Sequence, residues 1–546
     1  MKKDMWKLFE RKNKVLKKKH RFVEFSIMVM IALLAVLFAC SPIATIQSIS
    51  STSTNPTNTI VIAKAPLSEI SKDTVKVVID KNKLQQKIEG FGATHVSLIY
   101  EGAGDVLSPE IRAKAIDALF KQVGISMGNL EGALLESTGG WENRKNDNSD
   151  PFSINWDGFE TKTAEAIQQN LVKPALPLGF DNYFLSQKVN VRWASPWLEE
   201  LRQHDYERYL DEIAEQVVAG HLHWRKVYGI VPAYQMLFNE PLSGNHELLN
   251  GSVKDIVNIV KRTGKRLQSE GFQVRFVLPN EETEENTVQV AKAILSDPEA
   301  RQFVGAIGYH TYPYGSTYSS ISEILATSGV GKPNPERIAV RERLRDLGQQ
   351  YKIPVWMTEV SHGNVKAQSF EAFLGRAIHI HDELLYANAS AYFGMNNMWD
   401  NASQQMHFNN QDLSSEEGTI VLIDSPKQTV TITGMGYAIG HYARWVKRGS
   451  TRLDATSSNP LVQITAFLDE NQKSLVLVVI NNAMESQQLD IQLNGVTLEG
   501  AIAGEQSTKT SYWQTLSPLK AEVSNHFTIS IPPKSVTTML GKEKPV

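Results

Sequence analysis

The chain predicts an α/β protein, a (β/α)8 barrel of the TIM type with an attached antiparallel β-sandwich. Two observations carry this. From about Gly90 to Gly434, short apolar strand candidates alternate with longer amphipathic stretches, which implies a parallel sheet whose strands are joined by helices. Eight such units over about 340 residues suit a closed barrel. From Leu461 onward, short strands follow one another with turn residues between them and no helical pattern, the signature of a β-sandwich. An open doubly wound sheet is the competing architecture, but no Gly-rich phosphate loop opens the first helix.

At 546 residues the chain exceeds one ordinary core, so two folded units with additions are expected. Hydrophobic content of 42% and charged content of 21% are those of a soluble globular protein. A net charge of −3, with no basic stripe in the body, argues against a nucleic-acid partner.

Met1 to Arg21 is crowded with Lys and Arg, and an uncharged apolar run, Ser26 to Ala39, follows and ends at Cys40-Ser41-Pro42. This run of about 14 residues falls short of the ~20 that span a bilayer, and it suits a signal peptide over residues 1–40. An uncleaved signal anchor is the alternative, because Pro42 to Ile46 lengthens the apolar stretch. Cys40 is the only cysteine, so no disulfide can form within the chain. Leu37-Phe38-Ala39-Cys40 resembles a bacterial lipobox, which makes Cys40 a candidate lipid attachment site; an incidental thiol is the other reading. The membrane is then a partner only through that lipid or anchor, and the rest of the chain is expected outside the cytoplasm, on the cell surface or secreted. Residues 41–74, with Ser48 to Thr59 rich in Ser, Thr and Asn, read as a flexible linker.

Regular structure is expected from Val75 to Ile79, then in barrel strands at Phe91–Ser97, Ile125–Leu130, Val189–Trp193 and Tyr234–Phe238. The series continues with Val274–Leu278, Ala306–Tyr309, Val355–Met357 and Ala391–Met395. Helical patterns such as Pro109–Val123, Tyr206–Val227 and Val253–Ser269 lie between them. The barrel is assigned to residues 75–435 and the sandwich to 436–546.

Two strands end in chemistry. Tyr234 to Phe238 runs into Asn239-Glu240-Pro241, and Val355-Trp356-Met357-Thr358 ends at Glu359. Strand C-termini in a barrel point side chains into the active-site face. A gap of about 120 residues is three βα units, which puts Glu240 on strand 4 and Glu359 on strand 7, across the mouth from each other. Hydrolysis of a glycosidic bond with retention needs two carboxyl groups about 5–5.5 Å apart, one to protonate the leaving oxygen and one to attack the anomeric carbon. Asn239 is placed to hydrogen-bond a sugar hydroxyl beside the cleaved bond. A salt-bridged or helix-capping role is the bland reading of either glutamate alone.

The chain resembles the family 30 glycoside hydrolases, retaining enzymes that include glucosylceramidases, xylanases and endo-β-1,6-glycanases. Gln86 to Ala93 looks like that family's first strand, Ala194-Ser195-Pro196-Trp197 the end of its third, Asn239-Glu240-Pro241 its acid/base motif and Thr358-Glu359 its nucleophile. Gly436-Tyr437 through Arg444-Trp445 to Gly449-Ser450 is similar to its passage from barrel to sandwich. The resemblance implies a carbohydrate substrate, no cofactor, and a strand from before the barrel, residues 75–84, joining the sandwich. It also implies that Trp197, Tyr312 and Trp399 line the sugar site, where aromatic faces stack on sugar rings. His310 would hold the nucleophile or a sugar hydroxyl, and Trp141, in the polar segment Gly139 to Asp150, would reach a subsite.

One departure stands out. The family carries an Arg near the end of strand 2 close to the nucleophile, whereas this chain reads Ser126-Met127-Gly128-Asn129-Leu130-Glu131-Gly132. A catalytically inactive cell-surface glycan-binding protein is the rival function, and retention of both carboxylates argues against it. No His-Glu-x-x-His or comparable spacing suggests a catalytic metal, so none is expected.

Overall fold

A computed structural model describes residues 74–94, 107–131, 146–159, 161–186, 196–242, 252–312, 335–360, 367–395, 398–400, 419–520 and 525–544. Cys40, the apolar run before it and Trp141 lie outside the described residues. Among the described residues no helix is long and apolar enough to cross a membrane.

The first strand, β1 (Val75–Lys87), precedes a closed barrel of eight parallel strands. These are β2 (Gly90–Ala93), β3 (Met127–Glu131), β4 (Asn182–Ser186), β5 (Tyr234–Met236), β6 (Arg275–Glu281), β7 (Val304–His310), β8 (Val355–Glu359) and β9 (Ala391–Gly394). β9 pairs back onto β2, Gly90 opposite Ala391, which closes the ring. Burial on both faces explains why β8 and β9 read as continuous apolar runs rather than alternating ones. Met127, Met236, Val277, Ala306, Trp356 and Phe393 fill the interior as a packed plug.

The surrounding helices bury one stripe each. In the Val253–Ser269 helix the buried positions Ile256, Ile259, Val260, Thr263, Gly264 and Leu267 recur every three or four residues. Ser252 and Asp255 start it with reciprocal side-chain and backbone hydrogen bonds.

Asn182–Ser186 pairs with β3 (Met127 opposite Asn182) and with β5 (Phe184 opposite Tyr234), while the expected strand Val189–Trp193 lies outside the described residues. Phe180 stacks on Tyr183 at 5.3 Å, and Tyr183 meets buried Trp224, which packs this strand against its surroundings.

The last hundred residues build the sandwich. Hydrogen bonds link Ser511–Thr515, Leu498–Thr508, Ser535–Glu543, Ser474–Asn481, Val462–Asp469, Thr451–Ser457, β1, Gln487–Asn494 and His526–Ile531 in that order. β1 is an interior member, antiparallel to Thr451–Ser457 and parallel to Gln487–Asn494. Alternate residues of Gln487–Asn494 are buried, so Leu489, Ile491 and Leu493 join Val77, Ile79, Leu453 and Leu477 in one apolar core. The Gly434–Ala443 helix ties barrel to sandwich: His441 is 2.8 Å from Thr538 Oγ1 and 2.7 Å from Ser507 Oγ, and Trp513 donates to the Tyr437 carbonyl. Gly440 makes the approach possible, because a Cβ there would sit 2.1 Å from the Trp513 ring.

Candidate active site

The barrel's carboxyl end brings the two glutamates together. Past β5 the buried pair Leu237-Phe238 anchors the chain, and Glu240 then turns into the left-handed region at φ 51°. Such a conformation costs a non-glycine residue roughly 1–3 kcal/mol and persists where its surroundings enforce it. Its main-chain N–H is held by the Asn280 carbonyl at 2.8 Å. Glu359 is the last residue of β8, and His310 is the last of β7; all three side chains are buried. His310 Nδ1 lies 2.9 Å from Glu240 Oε1 and 4.0 Å from Glu359 Oε1. A carboxylate oxygen of each glutamate and a His310 ring nitrogen all lie within 4.8 Å of one another.

Tyr312 completes the cluster. Its hydroxyl donates to Glu359 Oε1 at 2.8 Å, and its N–H to the Glu282 carbonyl at 3.1 Å. Burial, and then the Glu359 charge, push the phenol well above its ordinary pKa, so it stays a donor. This hydroxyl is a partner for Glu359 where the resemblance implies an Arg. At the corresponding strand, β3, Asn129 is buried and its Nδ2 is 3.7 Å from Met236 Sδ.

Three neighbouring residues at and just past the end of β6 carry a signal that sequence reading passed over, since this strand too runs into carboxylates: Asn280-Glu281-Glu282. Asn280 Oδ1 accepts the Thr358 hydroxyl at 2.8 Å, and its Nδ2 donates to the Val277 carbonyl at 2.7 Å. Gly308 leaves room for that amide, because a Cβ there would lie 2.2 Å from Asn280 Oδ1. Glu281 accepts the Leu242 N–H at 3.3 Å. Burial, with the Glu240 charge adding, pushes Glu281 up to about 8 against the opposing Leu242 amide and His310. Burial and then Glu240 push Glu282 up to about 7.

Beneath the site runs a second, wholly buried network. Tyr309 donates to Glu383 Oε2 at 2.6 Å, Arg341 Nε donates to Glu383 Oε1 at 2.7 Å, and His379 Nε2 is 3.1 Å from the same oxygen. Burial opposes ionisation of Glu383, but Arg341 and His379 prevail and hold its carboxyl well below the usual range. Thr311, between His310 and Tyr312, reaches this network through His379 at 3.3 Å.

Of the remaining expected site residues, Asn239 is buried beside Glu240. Trp197 opens the Pro196–His204 helix, half-buried, and packs against the hydrophobic core. Trp399 lies on a short strand, Met398–Asp400, paired with Val421–Asp424, and its side chain is outside the described residues, as is Trp141. Among the described residues two clusters have the donor atoms to hold a cation, Glu240 with His310 and Glu359, and, away from β5 and β8, Asp147 with Glu212 and Glu215.

The barrel with its flanking sandwich brings two glutamates together at the strand ends. Residues 449–539 match the glycosyl hydrolase family 30 beta sandwich domain. The chain is 25% identical over 258 residues to glucuronoxylanase XynC of Bacillus subtilis, covering 46% of this chain. The match spans 49% of that relative, about half its length. Among solved structures it shares the fold of a family 30 endoxylanase from Clostridium papyrosolvens, with a TM-score of 0.59 and 16% identity over 86% of this chain and 100% of the other. The endo-β1,6-glucanase BT3312 is similar at a TM-score of 0.60 and 16% identity, over 86% and 94% of the two chains.

Proposed function

We propose that the protein hydrolyses β-linked oligo- or polysaccharides with retention of configuration, Glu240 acting as acid/base and Glu359 as nucleophile. The observation that carries this reading is the approach of the two carboxylates to within 4.8 Å. Retaining enzymes hold the pair about 5–5.5 Å apart, while inverting enzymes leave about 6.5–9.5 Å for a water. In the first step a Glu359 oxygen bonds to the anomeric carbon as the glycosidic C–O bond breaks, and Glu240 gives its proton to the departing oxygen. In the second, Glu240 takes a proton from water, whose oxygen displaces Glu359 and restores the first configuration. Tyr312 and His310 hold the two carboxylates in place for both steps.

Hydrolysis of aryl β-glycosides, followed by a panel of β-linked glucan, xylan and galactan, tests the activity. Glu359→Gln should abolish turnover. Glu240→Gln should lower kcat/KM by about 10²–10⁴-fold on natural linkages but far less on aryl leaving groups that need no proton. NMR of the first-formed sugar should find the β-anomer. Full activity in either variant, or inverted product, would defeat the assignment.

We further propose export and attachment to the cell surface through a lipid on Cys40, supported by the basic flank and apolar run that precede it. Labelling with a lipid precursor should mark the wild type and spare Cys40→Ser; an unlabelled wild type would remove the idea.

A further inference from the structure

We propose that Asp147, Glu212 and Glu215, with the side-chain oxygen of Asn146, form a buried calcium site that pins the segment after β3 to the Tyr206–His223 helix. Glu212 and Glu215 stand three residues apart on one face of that helix, and both side chains are fully buried. One oxygen from each of the three carboxylates lies within 4.8 Å of the others.

The hydrogen bonding is lopsided in a way that leaves oxygens for a cation. Glu212 Oε1 accepts Asn146 Nδ2 at 2.8 Å and Arg208 Nε at 2.9 Å, but Glu212 Oε2 meets no donor among the described residues. Neither oxygen of Glu215 meets one, and neither does buried Asn146 Oδ1. Buried polar atoms are overwhelmingly paired, so four such oxygens on three neighbouring side chains point to a ligand that supplies positive charge. Asp147 is held in position by its own contacts: its Oδ2 accepts the Asn155 N–H at 2.7 Å and Asn148 Nδ2 at 2.8 Å.

Three carboxylates face Arg208, bound to Glu212, and Arg266, which lowers the pKa of Glu215 but is itself 3.3 Å from Glu270 and 4.5 Å above the Phe152 ring. Burial, then Asp147 and Glu212, push the Glu215 carboxyl up to about 8, the direction expected of a carboxyl crowded by like charges. Donors that are all oxygen select a hard cation. Oxygens up to 4.8 Å apart suit calcium, whose bonds of about 2.3–2.6 Å span that gap, whereas magnesium's of about 2.0–2.1 Å require a tighter set. Asn146, Asp147, Glu212 and Glu215 are none of the residues assigned to sugar cleavage.

The purified chain, stripped with a chelator at pH 7, is titrated with calcium by calorimetry, and its melting is followed in parallel. One calcium should bind with a Kd of about 10⁻⁶–10⁻³ M. Binding should raise Tm by about 3–5 °C at saturation. Glu215→Gln and Asp147→Asn should each weaken calcium binding at least about tenfold while aryl-glycoside hydrolysis at 25 °C stays near wild type. Absence of binding heat and of a melting response in the wild type overturns the site. An undiminished calcium response in both variants overturns its location, and an equal response to magnesium overturns the choice of ion. A wild type blind to calcium, with Glu215→Gln melting higher, would mean that Glu212 and Glu215 share a proton instead.

Discussion

Asn280 holds Glu240 by the backbone: its carbonyl accepts the Glu240 N–H at 2.8 Å. The same residue's Oδ1 accepts the hydroxyl of Thr358, the neighbour of Glu359, at 2.8 Å. One residue between β5 and β8 therefore links the two strand ends, by its backbone to Glu240 and by its side chain to the neighbour of Glu359, and touches neither carboxyl group. Asn280→Ala should lower kcat about tenfold with KM nearly unchanged, since misplacement of reacting groups by fractions of an ångström is costly. Gly308→Ala, whose methyl would overlap the Asn280 amide, should reproduce that loss. Steady-state kinetics on an aryl glycoside checks both, and wild-type kcat in the two variants would show that Asn280 positions nothing.

Tyr312→Phe removes the hydroxyl that donates to Glu359. That hydrogen bond fixes the orientation of the attacking oxygen, so its loss should lower kcat more than it raises KM. Bonds to charged groups are worth about 1.5–3 kcal/mol, which predicts a fall in kcat/KM of about 10–100-fold at neutral pH. A loss confined to KM would assign the phenol to sugar binding alone.

Glu281 keeps its proton in the fold up to about pH 8, whereas the unfolded chain releases it near 4.5. The unfolded state then binds fewer protons, so this group's contribution to stability falls as pH rises from about 4.5 to 8 and is level above. Buried His221 and His441, lowered to about 4 and about 3, act in the opposite sense below about pH 6.5. The informative quantity is the difference in Tm between wild type and Glu281→Gln, which should widen in favour of the variant across pH 5 to 8. A constant difference would show that Glu281 is already ionised.

Arg341→Met leaves Glu383 buried beside Tyr309 without its main cation. Breaking a buried pair from one side typically costs about 3–5 kcal/mol, and denaturant unfolding should register a loss of that size. Adding Glu383→Leu to the same chain should recover part of it.

The barrel was legible because β8, β6 and β9 are continuous apolar runs, and Glu240 and Glu359 were legible because each closes such a run at a strand end. The strand Asn182–Ser186 was not expected from the sequence, because it opens on a polar residue and holds no β-branched side chain, which leaves little local preference for extended chain. Asn280 and Glu281 carried the same strand-end signal as Glu240 and Glu359, but a role as a brace depends on contacts that no linear spacing displays. Asp147 lies 65 positions before Glu212, and only the packing of a loop on a helix makes them neighbours.

The placement of β1 has a consequence for how this protein comes into being. Val75 is paired with Leu489 and Val77 with Ser457, so an interior strand of the sandwich is made before the barrel, while its neighbours are made after it. During synthesis the leading strand must wait, unpaired, through more than 300 residues. A C-terminal fragment cut at the barrel boundary would be a sheet with a missing rung and an exposed apolar seam. The sheet around β1 thus closes only once Gln487–Asn494 has been made, long after the barrel strands.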